Sequence, residues 1–360
     1  TCYSLYSIAS AAARTLPIAV TAAQSLWQET SLMWEDRQVE LRDSTHAHGS
    51  VSDNDMLCDD QINRNGCGIS TWLKSVGSWS NRSNNQTHFG GNGAAFSYDL
   101  GYRQNMFGML GGADWSKIGI FASRDFFAVG VMGGYLQSNV GFNQEAGNMY
   151  GSSNFSYQGG TLGGSVTYMN NGFFADALFK TDLLGLNMTL PIGSLRNATV
   201  GVRTAGGVGN LGYRYDYGSM FIEPLATLTY STTGMGAINS LAYQNVGIGF
   251  GSGRDFRGGF GGRFGTSWAN IFSSHVLEAS LTGRYWNMFN SNAGRTVDIM
   301  SSGVGETIGD YTLGRDYGEV KGNLNLFSIC SGWSAFANTG VKWNNQFTTV
   351  TTKGGIAYRW

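Results

Sequence analysis

The chain has 360 residues with 54 glycines and 3 prolines, and only 13% of its residues are charged. Its glycines follow no G-X-Y period and its prolines are too few for collagen, while a net charge of −1 gives no basis for a nucleic-acid-binding surface. Mean hydropathy is −0.16 and no run of about 20 uninterrupted apolar residues occurs, so a membrane-spanning helix is not expected.

The first residues do not form a secretory signal. Residues 1–13 lack a charged n-region, and Arg14 follows the small apolar residues instead of preceding them. We therefore expect the chain to derive from a longer precursor that carries its export signal upstream of Thr1.

Residues 9–42 are predicted to form the one long helix. Pro17 is tolerated in a first turn, and helix-forming Ala, Leu, Gln, Glu and Arg follow it. A helix of about 25 residues would be about 38 Å long, enough to pass through a bilayer-thick structure. Charged residues in its last turns exclude direct contact with lipid but suit a polar lumen. They include Glu29, Glu35, Asp36, Arg37, Glu40 and Arg42.

Residues 43–68 are polar and are predicted to be a connector on the periplasmic side. Cys58 and Cys67 enclose a short polar loop, which a disulfide would close in an oxidising compartment. A zinc site is not expected, because the cysteine spacing is too wide and His46 and His48 have no matching second pair. The pairing of Cys2 and Cys330 is left open.

From Ile69 onward the helical spacing of apolar residues ends, and apolar residues alternate with polar ones. In the final stretch, Ile356, Tyr358 and Trp360 fall on one face, and Lys353 and Arg359 fall on the other. Twelve segments show such patterns and are predicted strands: 69–79, part of 101–115, 126–142, 155–169, 173–182, 199–215, 221–232, a segment including 256–265, 276–288, 319–327, 333–343 and 348–360.

The strand lengths and charge distribution favour a membrane barrel over a soluble sandwich. Segments of about 10 residues exceed the usual sandwich strand and match what a tilted strand needs to cross a bilayer. Charges are confined to one face, as expected if that face lines a wet lumen, and closure removes exposed strand edges. The predicted fold is all-β, a 12-stranded antiparallel transmembrane β-barrel over residues 69–360, with the helix of segment 1–42 in its lumen.

Two further patterns support this fold. Aromatic residues near segment ends suit the girdles at the membrane interfaces; they are Trp72, Trp79, Trp115, Tyr135, Tyr230, Trp286, Trp333, Trp343 and Trp360. Links after odd-numbered strands tend to be long and those after even-numbered strands short, with 116–125 as an exception. Long links are expected outside the cell, which places Cys330, Cys58 and Cys67 at the periplasmic rim.

Several motifs resemble the autotransporter β-domain, the C-terminal translocator of type V secretion in Gram-negative bacteria. They are the helix around 19–42, QNMFGMLGGADW at 104–115, FAVGVMGGY at 127–135, FIEPLATLTY at 221–230 and the ending GGIAYRW. The resemblance covers nearly the whole chain. The chain differs from the family in having a longer connector between helix and first strand. Some family members cleave themselves at paired asparagines in the lumen helix, but residues 9–42 contain no Asn.

The resemblance implies an outer-membrane pore that holds its own helix, anchors an upstream passenger domain and exports it to the cell surface. It implies partnership with outer-membrane lipid and with the β-barrel assembly machinery, which would recognise Ile356, Tyr358 and Trp360. We expect a monomer with no nucleic-acid partner and no cofactor. The expected contacts between helix and lumen pair Glu35, Arg37, Glu40 and Arg42 with Lys74, Glu223, Arg257 and Arg263.

Other functions fit the sequence less well. Catalysis is not expected, because no G-x-S-x-G motif precedes a helix and the histidines are scattered. Asp114, Asp176 and Glu223 could support intramolecular cleavage if two carboxylates lay close together, but lumen hydration explains them more simply. A porin or a loop-presented adhesin without a passenger is the alternative function, although a porin usually needs more strands and no long N-terminal helix.

Overall fold

The structure is a computed structural model that describes residues 2–49, 68–83, 85–89, 95–122, 125–142, 153–190, 198–238, 246–271, 275–290, 296–301, 304–309, 315–328 and 331–360. Within the helix, side chains are described for residues 14–45. Cys58, Cys67 and Cys330, and with them the predicted disulfide, lie outside the described residues.

Twelve long antiparallel strands form one closed barrel, which confirms the predicted fold. They are β1 (Gly68–Arg82), β2 (Tyr102–Ile118), β3 (Phe126–Phe142), β4 (Asn154–Asn170), β5 (Phe173–Thr189), β6 (Ala198–Tyr213), β7 (Met220–Met235), β8 (Gly253–Ile271), β9 (His275–Met288), β10 (Asp316–Ser328), β11 (Trp333–Trp343) and β12 (Phe347–Arg359). Each strand pairs with its neighbours in the chain. The ring closes where β1 pairs with β12, from Ser70 opposite Arg359 to Arg82 opposite Phe347.

Most strands extend beyond their predicted ends. The largest extension is in β5, which continues from the predicted end at Asp182 to Thr189. Along this extension Leu184, Leu186 and Met188 are buried in the lumen. The inward face therefore changes from charged, at Lys180 and Asp182, to apolar, while the outward Asn187 and Thr189 are polar. The alternation reverses its phase there, so a strand followed by its apolar outward face ends too early.

The helix α1 (Cys2–Gly49) is also longer than the predicted segment 9–42, and Pro17 lies inside it, not in its first turn. The lumen surrounds the described side chains of 14–45, so packing on every side supports helix beyond the limits of local sequence signals. No helix in the described part of the chain has both the length and the apolar character needed to cross a membrane.

The links define two rims. The short-link rim carries the links after even-numbered strands, such as the turn of Asn171 and Gly172, whose φ values are 47° and 86°. A Cβ on Gly172 would approach the Arg214 carbonyl oxygen to 2.5 Å, so this turn needs glycine. The long-link rim carries the links after odd-numbered strands, of which 289–315 is the longest. The link 344–346 is an unpredicted short exception at that rim.

A small sheet stands on the long-link rim, and we call it the collar. It consists of Val246–Phe250, Thr296–Ser301 and Val304–Gly309, contributed by the links that follow β7 and β9. The bridge between Ile238 and Ile248 ties the collar to the end of β7. A separate hairpin, Asn85–Phe89 with Ala95–Asp99, lies in the link after β1.

The outer face carries an apolar band of membrane height. Trp333 and Trp343 face outward at opposite ends of β11. At about 3.3 Å per residue they lie about 33 Å apart along the strand, and a tilt of about 40° reduces this to about 25 Å across the membrane. Trp72 and Trp286 were wrongly assigned to the girdles, because both are buried in the lumen. Alternation explains this, since Trp72 shares its face with Lys74 and Trp286 shares its face with Arg284.

Candidate functional site: the helix in the barrel lumen

The helix passes through the barrel with a defined direction. Near the long-link rim, the Tyr157 hydroxyl donates a hydrogen bond of 2.8 Å to the Ala19 carbonyl oxygen. At the short-link rim, the Arg359 guanidinium donates to the Ser44 hydroxyl over 3.2 Å. The N-terminal end of α1 therefore points out through the long-link rim, and its C-terminal end lies at the short-link rim, where β1 begins.

Next to the long-link rim, the lumen wall from β2 to β6 is mainly apolar, which the prediction of a polar lumen did not anticipate. Helix residues such as Leu16, Ala19 and Leu26 share one buried cluster with wall residues such as Val140 and Phe155. The helix also approaches the wall closely at Gly253, where a Cβ would meet Val20 Cγ1. Apolar helix thus meets apolar wall on this side of the barrel.

Elsewhere the lumen wall carries many charges, and ion pairs join it to the helix. All the side chains concerned are buried. The pairs are Glu29–Lys342, Glu35–Arg284, Asp36–Lys321, Asp36–Lys353, Arg37–Asp114, Glu40–Lys74, Arg42–Asp176, Arg42–Glu223, Asp43–Arg214 and Asp43–Arg263. The apolar and the charged parts of the wall therefore each face helix residues of matching chemistry.

The most connected part of this network lies at the end of the helix. Arg42 contacts the carboxylates of Asp176 and Glu223, the latter at 3.3 Å, and its guanidinium carbon lies 3.8 Å from the centre of the Phe174 ring. Asp43 accepts hydrogen bonds from Arg214 at 2.9 Å and from Asn325 at 3.0 Å, as well as from Arg263. Four strands, β5, β7, β8 and β10, thereby contact two consecutive helix residues.

Some of the predicted helix–wall pairings occur in the structure and others do not. Glu40 lies 2.6 Å from Lys74, and Arg42 contacts Glu223. Glu35 instead pairs with Arg284, and Arg37 pairs with Asp114. Of the two predicted wall arginines, Arg257 contacts Gln28 and Arg263 contacts Asp43.

Sequence reasoning did not include Glu29, Asp36 and Asp43 among the expected helix contacts. A usable signal existed, because Lys321, Lys342 and Lys353 all have the parity of lumen-facing positions. Buried cations that point into a closed lumen require anionic partners. These three acidic side chains lie on the one helix that fills the lumen. The pairing itself depends on the rotation of the helix within the barrel, which alternation along strands does not encode.

Three wall carboxylates had been considered for intramolecular cleavage. Asp114 is bonded to Arg37, and Asp176 and Glu223 share Arg42. These contacts make each carboxylate part of the ion-pair network. Among the residues that the structure describes, no group of three His, Cys, Asp or Glu side chains could hold a metal ion.

The lumen around the helix is nearly filled. Trp27 and Trp34 of the helix and Trp72 and Trp286 of the wall are buried there. A cavity lined by Glu40, Ser328 and Arg359 side chains, among others, has a volume of only about 30 Å³. At the long-link rim, Ile248 and Val297 of the collar join the same buried cluster as Leu16. The collar therefore covers the helix where it leaves the barrel.

Removing Arg42 should destabilise the protein strongly. The substitution Arg42→Met leaves Asp176 and Glu223 buried without their helix cation, which we expect to cost about 3–5 kcal/mol of unfolding free energy. The triple variant Arg42→Met, Asp176→Asn, Glu223→Gln removes the uncompensated charges and should recover most of this loss. Urea unfolding followed by tryptophan fluorescence measures both, and a triple variant no more stable than the single one would contradict the prediction.

Comparisons with known proteins support a family assignment. The transport unit of the Escherichia coli autotransporter AIDA-I is 13% identical with a TM-score of 0.60, covering 89% of this chain and 97% of that one. The translocator domain of autotransporter NalP from Neisseria meningitidis is 11% identical with a TM-score of 0.56, covering 94% and 99%. The β-domain of the Bordetella autotransporter BrkA is 14% identical with a TM-score of 0.56, covering 81% and 100%.

At these low identities, the structural likeness concerns the fold alone. A search among curated proteins found no match. The model of the autotransporter beta-domain family, however, matches residues 71–340, which is most of the chain. The chain therefore belongs to the autotransporter β-domain family, whose members are outer-membrane transport barrels of Gram-negative bacteria.

Proposed function

We propose that this barrel anchors an upstream passenger domain in the outer membrane and carries it to the cell surface. The helix is then the part of the chain that stays in the pore when the passenger has passed. The family supports this proposal, since the solved relatives are described as a transport unit and a translocator domain.

One observation carries the proposal: the direction of α1. Its C-terminal end lies at the short-link rim beside the start of β1, and its N-terminal end points out of the long-link rim. Long links face the cell exterior in outer-membrane barrels. A segment joined before Thr1 would consequently lie outside the cell while the barrel remains in the membrane.

Export can be tested with a reporter. An unstructured segment with an epitope tag is fused to the N-terminus, before Thr1, and is preceded by a Sec signal peptide. In intact cells this tag should become accessible to added protease. The control is the same fusion without residues 69–360, which should leave the tag protected inside the cell envelope. A barrel that inserts normally, judged by heat-modifiable migration, while its tag stays in the periplasm would contradict the proposal.

The helix should also block the pore. Removing residues 1–45 takes away Trp27, Trp34 and every described helix partner of the lumen charges, so the conductance of the barrel in planar bilayers should rise strongly. The intact chain in the same bilayers is the control. Equal conductance of the two proteins, with both barrels folded, would show that the helix is not what closes the pore.

The filled lumen argues against the alternative of a general diffusion porin. A porin needs an open aqueous passage, whereas buried ion pairs and tryptophans occupy this lumen. An adhesin presented by the loops alone would not require the helix direction seen here. The export experiment separates it from a translocator, since only a translocator moves the tag.

The role of the last strand in assembly remains a prediction. Trp360 is exposed on the outer face and its backbone amide donates to the Ile69 carbonyl over 2.9 Å, beside Tyr358. Removing Trp360 should lower the fraction of barrel inserted in cells, because the assembly machinery would read this terminal aromatic. Trp343→Ala, which removes an outward aromatic at the opposite rim, should have a smaller effect. Equal heat-modifiable migration of all three proteins would count against this role.

A further inference from the structure

Charged side chains are rare on the outer face of the barrel. Among the described residues of β1–β12, the exposed outward charges are Arg103, Lys117, Arg203, Arg254 and Asp316. Four of them lie within two residues of a strand end, and Arg203 is the sixth residue of β6. A charge in the apolar band would cost about 2–4 kcal/mol near the bilayer centre, which accounts for its absence there. The cations at the long-link rim are not evenly spread, because Arg203 and Arg254 lie on either side of one strand, β7.

The strand register places these two arginines close together. Arg203 of β6 lies opposite Gly234, and Arg254 of β8 lies opposite Thr232. Two strand spacings and a two-residue offset put their Cα atoms about 12 Å apart. Both side chains are exposed, and neither has a hydrogen bond or ion pair with a described residue. The acidic Asp316 lies two strands beyond Arg254 and is bonded to Asn287.

The pair lies just beyond the aromatic girdle. Tyr230 of β7 faces outward opposite Phe256, and their ring centres are 6.4 Å apart. Arg254 is one outward position past this aromatic pair, and Arg203 is one further, both towards the long-link rim. Girdle aromatics lie at the boundary between hydrocarbon and headgroups. The two guanidinium groups are therefore at the headgroup level of the exterior leaflet.

A groove lies beside Arg203. It has a volume of about 600 Å³ and is lined by Leu183, Gly201, Arg203, Gly234, Met235 and Gly236, among others. The glycines create it, since a Cβ at Gly201 or Gly234 would meet no heavy atom within 4 Å. The groove thus leaves room for a bulky headgroup beside Arg203, and it reaches Gly234 on β7, the strand between the two arginines. Tyr230, further down β7, is exposed on the apolar band.

We propose that Arg203 and Arg254 bind the phosphates of an outer-leaflet glycolipid, namely the lipid A part of lipopolysaccharide. Guanidinium groups form paired, charge-assisted hydrogen bonds with phosphate. Lipid A carries two phosphates on a sugar backbone, so one headgroup can reach both arginines while its sugars lie over Gly234 and its acyl chains follow the apolar band. Phosphatidylglycerol offers a single phosphate, and phospholipids belong mainly to the inner leaflet.

Binding of fluorescent bisphosphorylated lipid A to the purified full chain in detergent tests the site. The double variant Arg203→Ala, Arg254→Ala should bind at least about tenfold more weakly, because it loses both guanidinium contacts to the phosphates. Arg103→Ala is the matched control. Arg103 is an exposed outward arginine near the same rim, and its strand partners Asn81 and Gly141 bring no second cation.

A second variant tests the groove without altering charge. Gly234→Leu fills open space on the outer face, so the barrel should keep its heat-modifiable migration while affinity for lipid A falls. Dephosphorylated lipid A and phosphatidylglycerol should compete poorly with the bisphosphorylated form. The site is refuted if the double variant binds as tightly as Arg103→Ala, or if phosphatidylglycerol competes as well as bisphosphorylated lipid A.

Discussion

The fold depends on the absence of water in the membrane interior, where every backbone N–H and C=O must find a partner within the protein. Pairing of β1 with β12 satisfies the two edges that would otherwise remain, and it brings the chain end beside the start of the barrel. Closure also fixes which face of each strand looks to lipid. Closure therefore also determines which side chains point into the lumen and how much space remains for the helix.

The side chains of the lumen wall match those of the helix segment that they contact. The apolar wall from β2 to β6 packs against the apolar part of α1, and the charged residues of the wall pair with the acidic and basic part. Buried ion pairs add little net stability compared with apolar packing, but breaking one is costly. Their effect here is to fix the position of the helix, because a shift of one turn would separate Arg42 and Asp43 from their partners on four strands.

The outer surface of the barrel differs in composition from the lumen. Its apolar band suits lipid without regard to lipid identity, whereas Arg203 and Arg254 add two charges near one rim and on one side of the barrel. The buried contacts between helix and wall lie on the inward face of the strands, and these two arginines lie on the outward face. The proposed roles in passenger export and in lipid binding would therefore use opposite faces of the same strands.

The sequence by itself determined the strand number, the lipid-facing side of most strands and the presence of an N-terminal helix, since these depend on alternation and local propensity. It placed β3 and β11 at their observed limits but missed the end of β5, where the inward face changes from charged to apolar. It also misassigned Trp72 and Trp286, although their parity with Lys74 and Arg284 marked them as inward. Only the tertiary structure decided that Glu35 meets Arg284 and that Arg203 lies near Arg254, because helix rotation and strand register are set by closure of the whole barrel.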